Sequence, residues 1–299
     1  MGNFKKIFKK IYREITKGCL SSNWWRFRLP TLLIRGLFCS VIREKNNGVF
    51  IMKEDWDNLI ILDACRYDMF VKVNWIEGKL EKKISRGSHT WMFLKENFKG
   101  RTYLDTVYVS SNPFILDFQD CFHKVIYVAP EEELERYGTV LPETVFAEAL
   151  KAQKYYPHKR LIIHFLQPHD PFIGKTRFNK EDNPFYMLAK GKIGKEHLMK
   201  AYEDNLKAVL IYVEKLLKEL SGKTIITSDH GESLGAKVKF FPVRIYGHSG
   251  PRIKELIEVP WLTVEKYPRK KIIIGEKSSF IEEFDDNKIY KHLQALGYI

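Results

Sequence analysis

The sequence predicts an α/β protein built on a central, largely parallel sheet that is flanked by helices. Three apolar, β-branched runs carry this prediction, at residues 58–62, 161–166 and 224–227. Each run is almost continuously apolar, which is typical of strands that are buried on both faces of a parallel sheet. Helical patterns lie between these runs, and this alternation is characteristic of layered α/β folds.

The helices are predicted from apolar residues that recur every three or four positions. The longest helix covers residues 195–220, and its apolar stripe is expected to face the core. Gly222 is expected to end this helix before the next strand. A second helix is predicted at residues 142–155. Further strands are predicted at residues 104–110, 124–128 and 258–264.

Length and composition indicate one folded domain with an appendage. The chain has 299 residues, of which 44% are hydrophobic and 29% charged, as in ordinary globular proteins. We assign residues 1–50 to a basic amphipathic N-terminal segment and residues 51–299 to one catalytic domain. The net charge of +13 favours an anionic partner such as a phosphate ester or a lipid headgroup. Nucleic acid is the weaker candidate, because no nucleic-acid-binding motif accompanies the charge.

The N-terminal segment has two interpretations. Its apolar residues recur at helical spacing, with basic residues on the other face: Phe4, Ile7, Phe8, Ile11, Tyr12 and Ile15 against Lys5, Lys6, Lys9, Lys10 and Arg13. Such a helix either lies in the plane of a membrane surface, through residues 1–45, or packs against the main domain. No run reaches transmembrane length and no signal peptide is recognisable. With four scattered cysteines, we expect a cytoplasmic protein, which on the first interpretation is peripheral on the inner face of the membrane.

Acidic and imidazole side chains follow the three predicted strands at the points where they end. Asp63 follows the first run, His169 lies just beyond the second, and Asp229 and His230 come after the third. Ligands bind at the carboxyl ends of the strands in such sheets, so these residues are expected to converge. Carboxylates and imidazoles are ligands for divalent metals. The sequence therefore predicts a metal site at this edge.

Small hydroxyl residues precede an apolar helical stretch that begins near residue 90. Ser88 and Thr90 are candidates for the N-cap of that helix. A helix N-terminus also stabilises an oxyanion, and a metal beside it favours deprotonation of a hydroxyl. One of these hydroxyls is therefore also a candidate nucleophile.

Several motifs together resemble the alkaline phosphatase superfamily, in particular its sulfatase-like branch. The segment 63–68 (DACRYD) is similar to the branch's first motif, and Thr90 precedes Gly100 by the family's ten-residue step. The resemblance spans residues 58–299 and also includes residues 168–169 (PH), 202–204 (YED), 228–232 (SDHGE), 247–248 (GH) and 293–298 (LQALGY).

The resemblance implies an alkaline-phosphatase-like layered fold and a role for each matching residue. Asp63, Asp229 and His230 would hold one divalent metal, with Thr90 as the nucleophile that also contacts it. His169 and His248 would bind the oxygens of the transferred group or form part of a second metal site. Arg66 and Asp68 would brace the first loop.

Three departures from the family pattern refine this expectation. The sulfatase signature C-x-P-S-R is absent, so no formylglycine can form, and an unmodified Thr90 favours phosphoryl chemistry. Ala64 replaces the paired carboxylate of calcium-type sulfatases, and with the imidazole of His230 this favours Zn or Mn over Ca. Phe165 stands where two-metal members supply an Asp. We therefore expect one metal site and leave a second open.

The predicted function is that of a metal-dependent hydrolase or transferase acting on phosphoric esters through Thr90. One alternative is a sulfuric ester hydrolase that works without formylglycine. Another is a non-catalytic peripheral membrane protein that keeps the fold. The remaining histidines are assigned structural roles, with His89 left open because it adjoins Thr90: His123, His158, His164, His197 and His292.

Overall fold

The structure is a computed structural model that describes residues 46–179, 182–237, 244–248, 251–277 and 286–296. Residues 1–45 of the predicted N-terminal segment lie outside the described residues, as do the last residues of the 293–298 motif. Within the described residues, no helix has both the length and the apolar character needed to cross a bilayer.

The described residues form nine strands, here labelled in chain order. They are β1 (Asn58–Leu62), β2 (Lys79–Ile84), β3 (Tyr103–Ser110), β4 (Phe122–Tyr127), β5 (Arg160–Phe165), β6 (Thr224–Thr227), β7 (Ser233–Lys237), β8 (Arg244–Gly247) and β9 (Glu258–Val264).

The α-helices of the same residues are α1 (Tyr67–Val73), α2 (Thr90–Phe98), α3 (Glu131–Tyr137), α4 (Pro142–Tyr155), α5 (Pro184–Ala189), α6 (Lys195–Glu219), α7 (Lys254–Ile257) and α8 (Asp286–Ala295). Two 3₁₀ helices cover Ile51–Lys53 and Pro113–Cys121.

Seven strands form one sheet in the order β2-β9-β6-β1-β5-β3-β4. The pairings from β6 through to β4 are parallel, while β9 pairs antiparallel with both β2 and β6. Strands β7 and β8 form a separate antiparallel ribbon. The predicted fold class, a central and largely parallel sheet flanked by helices, is confirmed.

The central strands are buried on both faces because side chains alternate along a strand. In β1, Ile60 and Leu62 belong to the core layer that α4 and α6 cover. Leu59 and Ile61 face the opposite layer, which includes Phe93 of α2. The long apolar stripe of α6 is therefore a core face, as its spacing predicted.

Several predicted bounds are close to those observed. Helix α4 and strand β9 have the predicted limits, and α6 ends one residue earlier than expected. Strand β2 was not predicted because it is a half-exposed edge strand rich in lysine, which suppresses the apolar pattern. The short strands of the β7–β8 ribbon were also missed, since neither has an apolar run of its own.

Candidate active site

The carboxyl ends of three adjacent strands bring together the side chains that sequence reasoning singled out. Strands β5 and β6 both pair with β1 in parallel, so their ends reach the same edge of the sheet. Asp63 follows β1, and Asp229 and His230 follow β6. Donor atoms of these three buried residues lie within 4.8 Å of one another. This first cluster consists of the three metal ligands predicted from the sequence.

Distances within the first cluster are short and similar. Nε2 of His230 lies 3.4 Å from Oδ1 of Asp63 and 3.3 Å from Oδ2 of Asp229. The hydroxyl oxygen of Thr90 lies 3.3 Å from Nε2 of His230 and 3.4 Å from Oδ2 of Asp63. The structure therefore places the predicted nucleophile against the predicted metal ligands.

The first cluster fits a divalent cation. Donors at about 2.0–2.1 Å from a tetrahedral Zn²⁺ are separated from each other by roughly 3.3–3.4 Å, which is the spacing found here. Oδ1 of Asp63 and Oδ2 of Asp229 are buried, and among the described residues neither has a hydrogen-bond donor. Buried carboxylate oxygens without partners are costly unless a cation binds them. Asp63, Asp229, His230 and Thr90 are thus suited to hold one metal.

The electrostatics of the first cluster also indicate a site built for positive charge. Burial, together with the negative charge of Asp229, raises the pKa of Asp63 well above its usual range. Burial also acts to raise the pKa of Asp229, but the imidazoles of His230 and His164 outweigh it and the pKa is lowered. Burial lowers the pKa of His230 to about 4, so its ring is neutral and able to bind a metal.

The loop after β1 is held by hydrogen bonds to the loop after β6. Ala64 adopts a left-handed φ of 59°, which is unfavourable for a residue with a Cβ. Its N–H donates to Oδ1 of Asp229 (3.1 Å), and the N–H of Cys65 donates to Oγ of Ser228 (2.8 Å). The bonds to Asp229 and Ser228 link the loops that follow β1 and β6, which fixes the two carboxylates relative to each other.

Thr90 is the first residue of α2 and is fully buried. The N-cap of this helix is His89, whose side chain accepts a hydrogen bond from the N–H of Met92, so the expectation that Ser88 or Thr90 caps the helix is wrong. His89, whose role the sequence left open, is therefore the N-cap of α2 and has a structural role. The Thr90 hydroxyl is directed into the cluster instead of back onto the helix.

Gly87 allows the segment before α2 to pack closely. A Cβ at this position would lie 2.4 Å from the backbone nitrogen of Phe93. Any larger residue would therefore displace the start of the helix that carries Thr90.

Asn112 is a site residue that sequence reasoning missed. It is fully buried at the start of the 3₁₀ helix Pro113–Cys121, and its Nδ2 donates to Oδ2 of Asp63 at 2.8 Å. The same Nδ2 lies 3.5 Å from the Thr90 hydroxyl. Asparagine is common in turns, so this residue gave no signal in the sequence.

A second cluster of donors lies beside the first. It consists of His169, Glu232 and His248, whose donor atoms also lie within 4.8 Å of one another. Nδ1 of His248 is 3.2 Å from Oε2 of Glu232. The ring centre of His248 lies 4.8 Å from those of both His169 and His230, so His248 stands between the two clusters.

Glu232 supplies a carboxylate that sequence reasoning did not assign. Its side chain is fully buried, and burial raises its pKa to about 8. Its Oε1 has no hydrogen-bond partner within the described part of the chain. Phe165, at the position where the family pattern has an Asp, belongs to the core. A second set of donors is therefore present in spite of Phe165, and the signal for it was the Glu of the 228–232 motif.

Arg66 and Asp68 brace the first loop, as expected. Their side chains form an ion pair at 2.6 Å, and Arg66 donates from Nη1 to the backbone oxygen of Glu232 at 3.0 Å. Tyr202 of α6 adds support, because its hydroxyl donates to the backbone oxygen of Ala64 (2.6 Å) and accepts from the N–H of Arg66 (2.9 Å).

Helix α6 also holds the loop that carries His169. Nδ2 of Asn205 donates to the backbone oxygens of Pro168 (3.1 Å) and His169 (3.0 Å). Its Oδ1 accepts from the N–H of Ile173. One helix therefore fixes both the Asp63 loop and the His169 loop, which accounts for polar residues on its otherwise apolar buried face.

The other histidines lie outside the two clusters, with one exception. His123 and His158 bond backbone oxygens of residues 276 and 271, His197 packs on Phe178, and His292 bonds Tyr127. His164 is the hydrogen-bonded core residue that was expected, but its Nε2 also lies 3.7 Å from Oδ2 of Asp63.

Comparison with known proteins finds distant likenesses in fold. No protein-family model matches the sequence, and no curated protein matches it. The structure is similar to the integral membrane lipooligosaccharide phosphoethanolamine transferase A of Neisseria meningitidis, with 13% identity and a TM-score of 0.48. That match covers 88% of this chain and 58% of the other, so the chain spans less than two thirds of the Neisseria protein.

Two further structures are similar at the same level. One is the C-terminal periplasmic domain of a phosphoethanolamine transferase from Campylobacter jejuni, with 18% identity, a TM-score of 0.46, and coverage of 69% of this chain and 78% of the other. The second is a Vibrio parahaemolyticus protein of the alkaline phosphatase superfamily, with 12% identity, a TM-score of 0.42, and coverage of 73% and 62%.

Proposed function

We propose that this chain is a metal-dependent enzyme that cleaves or transfers phosphoric esters through a Thr90 nucleophile. One observation carries the proposal: the Thr90 hydroxyl lies 3.3–3.4 Å from both His230 and Asp63, inside a buried set of metal donors. A divalent cation bound by this set would lower the pKa of the Thr90 hydroxyl and neutralise negative charge on the substrate.

The residues of the site supply the remaining steps. Thr90 donates its proton to Oδ2 of Asp63, which lies 3.4 Å from the hydroxyl oxygen, and that oxygen attacks phosphorus in line. The new bond joins Thr90 to phosphorus, and the bond from phosphorus to the leaving oxygen breaks. His169 and His248, together with Glu232, would hold a cation that stabilises the other phosphoryl oxygens, and the leaving oxygen takes its proton from water. Water or an acceptor alcohol then attacks phosphorus and loses its proton to solvent, the bond from Thr90 to phosphorus breaks, and the proton on Asp63 returns to the Thr90 oxygen.

Zinc or manganese is the proposed cation. The first cluster combines two carboxylates with an imidazole, and the second combines one carboxylate with two imidazoles. Imidazole donors favour Zn, Mn and similar metals over Ca, which prefers oxygen ligands. Because Glu232 completes the second set, we propose two cation sites in place of the single site that the sequence favoured.

Phosphoric esters are preferred over sulfuric esters as substrates because Thr90 is an unmodified hydroxyl in a sequence without the C-x-P-S-R signature. The non-catalytic alternative is disfavoured by the burial of Asp63, Asp229 and His230, since a scaffold protein gains nothing from buried ionisable groups.

The reaction class is tested by metal analysis of the purified full-length protein, coupled to assays of aryl phosphate monoesters, aryl phosphate diesters and aryl sulfates. We expect zinc or manganese to copurify and a phosphate ester to be the better substrate. Faster turnover of the aryl sulfate would favour the sulfatase alternative. Absence of both bound metal and turnover would favour the non-catalytic alternative.

We also propose that the protein binds a membrane surface and acts on its substrate there. Residues 1–45 contain eleven Lys and Arg against two Glu, a net charge of +9 out of +13 for the chain. The chain enters the described domain where Asn46 donates to the backbone oxygen of Arg86 and Val49 donates to that of Ile84. Ile84 ends β2, which runs in the same direction as β6, so the segment joins the domain at the edge that carries the site.

Vesicle co-sedimentation tests this membrane proposal. The full-length protein is expected to pellet with vesicles of anionic phospholipid and less with zwitterionic ones. Replacing Lys5, Lys6, Lys9 and Lys10 with Glu should release the protein from the anionic vesicles. Replacing four lysines of β2 and α6 with Glu should leave its binding to these vesicles unchanged. Equal binding by both variants would contradict the proposal.

A further inference from the structure

His164 lies at the centre of the sheet, beneath the proposed cation site. It is on β5, where it pairs in register with Ile61 of β1 and Ser110 of β3. Its side chain is 1% exposed. The tautomer of such a buried imidazole determines which nitrogen donates a hydrogen bond and which accepts one.

The two ring nitrogens of His164 face different groups. Nδ1 lies 3.0 Å from the hydroxyl of Tyr108 on β3. Nε2 lies 3.7 Å from Oδ2 of Asp63 and 3.9 Å from Oδ2 of Asp229. Within the described residues, no group is close enough to Nε2 for a hydrogen bond. The ring therefore points one nitrogen at the gap between the two carboxylates of the first cluster.

The hydrogen bond with Tyr108 favours the tautomer of His164 that carries its proton on Nε2. The tyrosine is fully buried, and its ring packs against the aromatic side chains of Phe98 and Phe122, which offer no lone pair. Among the described residues, Nδ1 of His164 is the only acceptor within reach of the Tyr108 hydroxyl, so the hydroxyl proton is satisfied when Nδ1 accepts it. A ring with one N–H is more stable when that N–H, and not a lone pair, faces the two carboxylates, because both carboxylates are acceptors. With Nδ1 as acceptor, that N–H is on Nε2.

We propose that His164 is a positioning residue for the cation site, with its Nε2–H directed at the Oδ2 atoms of Asp63 and Asp229. The inference rests on the proposed function, because it gives these carboxylates the role of metal ligands. The N–H dipole offsets the repulsion between two buried carboxylates and fixes the orientation of each. Asp63, Asp229, His230 and Thr90 already provide four donors, so His164 acts through the ligands and not as one of them.

The chain contains a matched control for this pair. Tyr127 on β4 and His292 on α8 are also a buried tyrosine and histidine, joined through Nδ1 at 2.5 Å. Burial lowers the pKa of His292 to about 3, so the ring of His292 is neutral. The control pair joins an edge strand to a helix. Substitutions there reproduce the loss of a buried Tyr–His bond without altering the pair that faces Asp63 and Asp229.

The affinity of the full-length protein for Zn²⁺, measured by competition with a chromophoric chelator, tests the proposal. His164→Leu should weaken Zn²⁺ binding by about 10–100-fold, the usual effect of removing a group that orients metal ligands. His164→Gln should recover most of this loss because its amide also donates an N–H. His292→Leu should bind Zn²⁺ like the wild type. Equal Zn²⁺ affinities for His164→Leu and His292→Leu would overturn the proposal.

A second measurement holds even if His164→Leu does not fold. Long-range ¹⁵N NMR of histidine-labelled wild-type protein should show His164 protonated at Nε2. Tyr108→Phe should remove this preference, while Tyr127→Phe should leave the signal of His164 unchanged. A wild-type ring protonated at Nδ1 would overturn the proposal.

These readouts separate the role of His164 from the proposed reaction. Zn²⁺ affinity and tautomer are measured without substrate. A wild-type protein that binds Zn²⁺ and has His164 protonated at Nε2, but turns over no ester, would refute the proposed function and leave this inference in place. An active enzyme whose His164→Leu variant keeps full Zn²⁺ affinity would support the proposed function and refute the role of His164.

Discussion

The hydroxyl oxygen of Thr90 lies 3.3 Å from Nε2 of His230, although 140 residues separate them in the chain. Thr90 begins α2, whereas His230 follows β6 at the edge of the parallel sheet. A contact between a helix start and a strand end unites the candidate nucleophile with the candidate metal ligands.

Thr90→Ala should reduce ester turnover by about 1,000-fold or more, because the nucleophilic oxygen is removed. The fold should persist, since the N-cap of α2 is His89. Turnover, circular dichroism and urea unfolding measure these effects. Ser88→Ala is the control and should stay active. If Thr90→Ala kept wild-type turnover and Ser88→Ala lost it, Ser88 would be the nucleophile.

Glu232→Gln should lose one of two bound metal equivalents. The substitution keeps the size of the side chain but removes the only carboxylate among the three donors of the second cluster. The first cluster should retain its metal, because Asp63, Asp229 and His230 are unchanged. Metal content per chain, measured by mass spectrometry of the purified protein, gives the count. Glu255→Gln is the control, and a wild-type count for both variants would rule out metal binding by Glu232.

Removal of metal should lower the free energy of unfolding. A site saturated at about 100 times its dissociation constant contributes roughly 2.7 kcal/mol by mass action. Urea unfolding with a chelator and with added Zn²⁺ measures the difference. Asp63→Asn should abolish most of the increase in the free energy of unfolding that Zn²⁺ produces. It should also stabilise the metal-free protein, because it ends the repulsion between Asp63 and Asp229. Equal responses to Zn²⁺ in wild type and Asp63→Asn would place the metal elsewhere.

Tyr202→Phe should destabilise the protein by about 1–3 kcal/mol and reduce turnover. The hydroxyl of Tyr202 bonds the backbone of both Ala64 and Arg66, and its loss leaves buried backbone groups unsatisfied. The left-handed Ala64 depends on this support. Urea unfolding and turnover are the measurements, with Tyr212→Phe on the same helix as control. Equal effects of the two variants would show that Tyr202 has no special role.

Stability should fall as pH decreases below about 6.5, in part because of His292. Burial lowers the pKa of His292 from 6.5 to about 3 in the folded state. Between these values the unfolded chain binds a proton that the folded chain does not, so each unit of pH lowers stability by up to about 1.4 kcal/mol. His292→Gln removes this contribution and should have a flatter pH profile in urea unfolding. Parallel profiles for wild type and variant would contradict the assignment.

Much of the fold could be predicted because the central strands are buried on both faces. The resulting apolar runs located β1, β5 and β6, and the residues after them were the first-cluster ligands Asp63, Asp229 and His230. Regular helical spacing located α4 and α6. Edge strand β2 escaped because its exposed lysines disrupt any apolar pattern.

The rest of the site depends on tertiary contacts that have no local signature. Asn112 reaches Asp63 across 49 residues, and a lone asparagine in a turn predicts nothing. Glu232 was visible in a motif, but its approach to His248 follows from the pairing of Ser233 in β7 with Gly247 in β8. His164 was assigned to the core correctly, while the direction of its Nε2 could not be read from the sequence. The cytoplasmic location stays a prediction.

The most direct test of the central claim is a crystal structure of the zinc-loaded protein, with anomalous diffraction recorded at the zinc edge. We expect an anomalous peak enclosed by Asp63, Asp229 and His230, with the oxygen of Thr90 bound to the same ion. A protein that takes up no zinc, or an ion bound away from these four side chains, would contradict the proposed site and the reaction derived from it.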